Sequence, residues 1–157
     1  MELKEFKNIV FDILKKNGFK YIKSKYCFEN DELLVFIEFQ KSNFSNAYYI
    51  NYYFVIKDLH KRIEKLTIKI RDFGARFAYY NYEGELVNNE FELEEISNEN
   101  LTFSIQKELD EEVFPAFNKG IYDYLSSRPI MKKMSSKATK KYLEEQTTLY
   151  FFEKDSI

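Results

Sequence analysis

The chain has 157 residues and a mass of 19.0 kDa, room for one domain whose core needs no disulfide or metal to hold it. Its 45% hydrophobic and 32% charged residues exclude a mainly disordered chain, and a single cysteine (Cys27) and single histidine (His60) exclude an intrachain disulfide and the usual zinc clusters. The net charge of −2 is unevenly spread, with +5 over residues 1–82, −10 over 83–112, +6 over 119–141 and −3 over 142–157, a balance that argues against a dedicated nucleic-acid binder.

Leu3, Phe6, Ile9, Val10, Ile13 and Leu14 recur at helical spacing, and Asn17-Gly18 supplies the stop, so the chain opens on an amphipathic helix. Segments 19–29, 33–41 and 47–57 are rich in β-branched and aromatic residues and read as three antiparallel strands. With Asn30-Asp31 as a two-residue turn, Phe28 faces Leu33, Tyr26 faces Val35, Ser24 faces Ile37 and Ile22 faces Phe39. A second hairpin closed near 42–47 sets Phe39 against Ile50, Ile37 against Tyr52, Val35 against Phe54 and Leu33 against Ile56. One face is then almost wholly apolar and packs on the first helix, while the other collects Tyr21, Lys23, Phe36, Glu38, Gln40, Tyr49, Asn51 and Tyr53, with Lys23 opposite Glu38.

Residues 58–65 read as a helical turn or loop, and 66–70, 75–80 and 85–93 alternate like strands. A second helix starts at Asn98 or Asn100, with Leu101, Ile105, Leu109, Val113 and Phe117 four residues apart and Ile121 and Leu125 continuing the stripe. Pro115 must kink or interrupt it. Residues 126–135 read as a connection, and a last helix from about Ser136 carries Ala138, Tyr142 and Leu149. The expected architecture is a single α+β domain over 1–157, an antiparallel sheet with an N-terminal helix and C-terminal helices packed on it.

Several stretches of this sequence together resemble the bacterial domain of unknown function 4304 family. They are the helix from Phe6 into Asn17-Gly18-Phe19-Lys20, then Tyr26-Cys27-Phe28, Ile37-Glu38-Phe39-Gln40-Lys41-Ser42, Tyr49-Ile50-Asn51 and the proline-centred Val113-Phe114-Pro115-Ala116-Phe117. Phe91 stands where that family often has a tryptophan. The resemblance implies an α+β fold with an antiparallel sheet and no known activity.

No nucleophile elbow, phosphate loop or dinucleotide fingerprint is present, His60 sits in a polar stretch, and Cys27 reads as an inert mid-strand thiol. Lysines exceed arginines 20 to 4, a bias shared with the abundant Phe and Tyr through A/T-rich codons, so Lys61, Arg62 and Lys65 beside Tyr79, Tyr80 and Tyr82 weigh little as a nucleic-acid patch. No apolar run approaches the ~20 residues of a membrane span, and Met1-Glu2-Leu3-Lys4-Glu5 lacks a signal-peptide core. The expectation is a cytoplasmic, non-enzymatic protein-interaction module without cofactor, metal, membrane or nucleic-acid partner. Its polar–aromatic sheet face, open or covered by the second helix, is the candidate surface. Two alternatives stand beside it. Glu90, Glu92, Glu94, Glu95, Asp110, Glu111 and Glu112 suit an immunity-type protein neutralising a basic toxin, unless the basic 119–141 segment compensates them. A small ligand between sheet and second helix is the other.

Overall fold

The computed structural model describes residues 1–155, with side chains described through residue 149. Helix α1 (Leu3–Lys16) buries Phe6, Val10, Ile13 and Leu14, and the chain leaves it through Gly18 at φ 90°, the left-handed exit its sequence predicts. Asn17 ties the helix end to the rest of the fold, its amide nitrogen donating to the Ile13 carbonyl and to Gln106 Oε1, each at 2.8 Å.

Segment 19–29 is not one strand but a hairpin. Strands β1 (Lys20–Ile22) and β2 (Lys25–Glu29) pair antiparallel across Lys23-Ser24, whose φ values of 50° and 68° are the positive pair that a two-residue type I′ turn requires. Lys23 is therefore a turn residue and does not face Glu38; Lys25 takes that role at 3.3 Å. The fold-back also moves Tyr21, which stands opposite Tyr26 and so on the helix-packed side of the sheet.

Strands β3 (Leu33–Lys41) and β4 (Ala47–Ile56) pair in the expected register, Phe39 with Ile50 through Leu33 with Ile56. The β2–β3 register differs by two residues: Phe28 faces Val35 and Tyr26 faces Ile37. Asn30 is the cause. Its Oδ1 accepts from the amides of Glu32 and Leu33 at 3.0 and 2.8 Å, so Asn30 opens the turn and Asp31-Glu32 form it. A two-residue slip keeps every β2 side chain on its face, because the pleat has period two.

Strands β5 (Phe73–Arg76) and β8 (Phe91–Glu92) both pair with β4, completing a six-stranded antiparallel sheet; β6 (Tyr79–Tyr80) and β7 (Leu86–Asn88) form a separate ribbon. Gly74 permits the β4–β5 approach, since a Cβ there would collide with the Tyr52 carbonyl and crowd Tyr53. Residues 66–70 are irregular and end in a 3₁₀ turn at Ile68–Ile70.

Helix α2 (Asn98–Glu108) is capped by Ser97, whose Oγ accepts from the Asn100 amide at 3.2 Å, rather than by either asparagine. A π turn follows at Leu109–Val113, then α3 (Pro115–Lys119), α4 (Ile121–Ser126), α5 (Pro129–Lys133) inside the expected connection, and α6 (Lys137–Asp155). In α6 the inward residues are Thr139 and Leu143, with Tyr142 half-buried; Ala138 and Leu149 are exposed. The principal core lies between the helices and Leu33, Val35, Ile37, Ile50, Tyr52, Phe54 and Ile56 of the sheet. A smaller core on the far side gathers Cys27, Leu34, Phe36, Tyr53 and Val55 under Leu66.

Lys23 and Ser24 hold a conformation that costs non-glycine residues about 1 kcal/mol or more. Replacing them with Asn-Gly is expected to stabilise the protein by about 1 kcal/mol in urea unfolding; a neutral or destabilising result would show that the turn is not strained.

Candidate functional site

Six of the eight residues expected on the polar–aromatic face share it: Phe36, Glu38, Gln40, Tyr49, Asn51 and Tyr53. Neither the whole face nor none of it is open. The second helix packs on the opposite, apolar side against α1, and the 57–72 segment covers half of this one through Ile63, Leu66 and Ile70. Phe36 is fully buried and Tyr53 is 6% exposed, with the Arg71 guanidinium 5.7 Å from its ring. On the uncovered half the polar groups satisfy one another. Asn51, 3% exposed, donates to Gln40 Oε1 at 3.1 Å, Arg76 Nε donates to Asn51 Oδ1 at 3.3 Å, and the Arg76 guanidinium lies 3.9 Å above the Tyr49 ring.

His60 is not free. Its Nε2 lies 2.9 Å from Asp72 Oδ2, which also accepts the Ile56 amide at 2.7 Å, while Ser136 Oγ donates to Asp72 Oδ1 at 3.3 Å. The serine meets the carboxylate and not the imidazole, so these groups clasp the covering segment to the sheet and to α6 and do not form a relay that would activate a nucleophile. Burial pushes the Cys27 thiol up to about 12, which keeps it an inert thiol as its sequence context suggests.

A cleft of about 450 Å³ opens between β4–β5 and the helices, lined by Tyr52, Gly74, Ala75, Arg76, Glu108, Glu112, Arg128, Pro129, Ile130, Met131 and Met134. Pro115 builds it. Lacking an N–H, the proline leaves the Glu111 carbonyl without its helical donor, and the chain relaxes into a π turn closed by the Phe114 amide on the Leu109 carbonyl at 2.8 Å. The groups set loose are taken up from outside: Arg128 Nη2 donates to the Glu111 carbonyl at 2.9 Å, and the Tyr124 hydroxyl donates to the Glu112 carbonyl. Arg128 Nε also donates to Glu112 Oε2 at 3.1 Å, its Nη1 donates to Ser127 Oγ at 2.9 Å, and its guanidinium rests 4.0 Å over the Tyr124 ring.

Glu108, the last residue of α2, is 4% exposed yet reaches the cleft wall. The Tyr80 hydroxyl donates to its Oε1 at 2.6 Å. Burial chiefly, with Glu112 and Glu111 adding repulsion against the lowering effect of Tyr80 and the Ala78 backbone, lifts its carboxyl from 4.5 to about 7. Burial also raises the phenols of Tyr52, Tyr80 and Tyr124, which stay protonated as donors. The sequence pattern does not single out Glu108, though its spacing from Leu101, Ser104 and Ile105 puts it on the buried stripe of α2. The acids it did single out beside it are partly neutralised from within: Glu111 by Lys107 at 2.7 Å, and Glu112 by Arg128 from the basic segment.

The family model described as Domain of unknown function (DUF4304) matches residues 10–119, and the chain belongs to that family. The match includes Tyr52, Gly74–Arg76, Glu108, Glu112 and Pro115 and stops short of Tyr124, Arg128 and the α5 wall. No curated protein and no solved structure matches the chain.

Two measurements bear on these assignments. Tyr53→Ala removes a core ring and is expected to lower stability by about 3 kcal/mol in chemical denaturation, against about 1 kcal/mol for Tyr49→Ala; equal small losses would mean that the face is open throughout. For Glu108, the unfolded chain has lost its proton between pH 4.5 and 7 while the folded chain keeps it, so stability falls as pH rises through that window, by up to about 3 kcal/mol. Glu108→Gln retains the Tyr80 bond without an ionisation. Its unfolding free energy is expected to lack that fall between pH 5 and 7.5, and a slope matching the wild type would assign the effect elsewhere.

Proposed function

We propose that this member of the family is a non-enzymatic binding module of the bacterial cytoplasm that holds a small ligand in the cleft between its sheet and second helix. One observation carries the reading: a nearly buried carboxyl, Glu108, lines an open cleft together with Glu112, Tyr52 and exposed apolar side chains at its rim, Ile130 at 81% and Met134 at 69% exposure. Polar groups at the bottom and apolar groups at the edge give such a site both orientation and affinity. The cavity volume also matches a molecule of modest size.

A second reading keeps the polar–aromatic face as a protein-interaction surface, because Tyr49 and Arg76 are stacked on its uncovered half and both residue types anchor interfaces. The cleft is preferred because the polar atoms of that half already pair with one another, whereas the cleft presents groups with capacity to spare. The immunity-type reading draws less support, since Glu111 and Glu112 already hold intramolecular cations.

Incubating the protein with a small-molecule extract of bacterial cells, followed by native mass spectrometry and thermal melting, tests the choice. The expected result is a retained compound that raises the melting temperature by a few degrees. Met134→Arg at the rim should weaken retention at least about tenfold without changing the fold, while Tyr49→Ala should leave it unchanged. Retention that survives Met134→Arg and fails with Tyr49→Ala would move the function to the sheet face.

A further inference from the structure

We propose that the ligand of this cleft carries a cationic nitrogen, an ammonium or guanidinium on a short aliphatic body, seated against Glu108 with its carbon chain along Met131 and Met134. The inference rests on the cleft reading and adds the chemical class of the ligand to it.

Four charged residues border the cleft, and their pairing is unequal. Arg128 is fully engaged by Glu112 Oε2, the Glu111 carbonyl, Ser127 Oγ and the Tyr124 ring. Arg76 is turned to the far side of the sheet, where Tyr49, Asn51 and Gln40 hold it. Glu112 has Arg128 at 3.1 Å. Glu108 alone has no cationic partner among the described residues; Tyr80 is its one side-chain donor.

The charge left unmatched in the cleft is therefore negative. An anionic ligand would approach two carboxyls whose neighbouring arginines are already committed, which costs rather than gains electrostatic energy in a partly dehydrated site. A neutral ligand leaves Glu108 protonated. A cation takes the place of that proton and gains a charge-assisted hydrogen bond to a carboxyl that is itself 4% exposed. The thioethers of Met131 and Met134 suit the methylene chain behind the charge, being polarisable and adaptable in shape.

A proton is coupled to this binding. The groups facing Glu108 are Tyr80 from β6 and the Ala78 backbone just before it, Tyr52 from β4, Glu111 and Glu112 from the π turn that continues its own helix, and Tyr124 and Arg128 from the following helical layer, while the Arg76 side chain of β5 is turned away. Burial first, then the repulsion of Glu112 and Glu111 against the lowering effect of Tyr80 and the Ala78 backbone, brings the carboxyl to about 7, half-protonated near neutral pH. Binding a cation at pH 6 then releases a proton, and apparent affinity rises about tenfold from pH 6 to pH 8 as the competent ionised form grows.

The test is an amide-resolved NMR titration of the full chain with n-butylammonium chloride, sodium butyrate and n-butanol at matched ionic strength. At pH 7.5 butylammonium is expected to shift the Gly74, Ala75 and Met134 amides saturably, with affinity at least about tenfold above butyrate and butanol. Glu108→Gln should abolish that preference together with the dependence on pH. Butyrate or butanol binding in the cleft as tightly as butylammonium would overturn the cationic assignment and leave the cleft reading standing. So would a wild-type affinity for butylammonium that is flat from pH 6 to pH 8, a readout that holds even where Glu108→Gln does not fold. Failure of every probe to move the cleft amides would overturn both.

Discussion

A missing N–H decides the C-terminal half of this protein. Pro115 follows a helical run from Asn98 to Val113, 11 α-helical and 5 π-turn residues, that would otherwise continue, and it leaves the carbonyl four residues back without a donor. The freed Glu111 carbonyl lies on the exposed side of the turn and the Glu112 carbonyl beside it is part-buried, and the chain downstream returns to give both a donor. It does so with Arg128 and Tyr124, and that return sets the positions of α4 and α5. The short helices follow from the same economy of sequence. Gly120 at φ 87° turns the chain between α3 and α4, and Pro129 starts α5. The cleft is the space that remains between this returning layer and the β5 edge. Its acidic wall is the last turn of α2 and the π turn that follows.

The sheet supplies the other wall, and β4 is its organising member, pairing with β3, β5 and β8. Strict alternation along β4 sends Tyr52 and Phe54 to the helices and Tyr49, Asn51 and Tyr53 to the far side. Tyr52 thus belongs to both the principal core and the cleft. On the far side, the 57–72 segment is held by the Asp72 carboxylate, which joins the Ile56 amide, His60 and Ser136. One buried acid there is a fastener satisfied on every side. The other, Glu108, is hydrogen-bonded by Tyr80 but has no cation beside it among the described residues.

What could be read from the sequence follows from how strongly each local choice is tied to burial. The β3–β4 register was legible because any one-residue slip would exchange an apolar face for a polar one. The β1–β2 hairpin was not, because Lys23 and Ser24 have no intrinsic preference for positive φ and adopt it only when Tyr21 and Tyr26 pair across the turn. The phase of α6 was misjudged for a related reason. Thr139 looks like a surface residue, yet its hydroxyl shares a 2.7 Å bond with Ser136 Oγ, and the buried side chain marks the inward stripe with Leu143. Glu108 hid in the same way: a carboxylate in a run of acids suggests solvent, and only its helical phase relative to Ile105 says otherwise. The family motif around Pro115 was visible, but the residues that answer it, Tyr124 and Arg128, lie past the end of the family match.

A purely structural role for residue 108 would be met better by glutamine. Its amide oxygen would still accept the Tyr80 hydroxyl, and it would carry no ionisation to be suppressed. The carboxyl instead makes the folded state about 3 kcal/mol less stable at neutral pH than an unshifted acid would. Replacing a cost of that size with a neutral isostere is a one-atom change. Its presence beside an open, partly apolar cleft, with every nearby arginine already engaged, therefore points away from packing and toward chemistry that needs a charge to appear there. The fold can hold Glu108 neutral until something positive arrives, because the phenol at 2.6 Å serves both protonation states of its carboxyl.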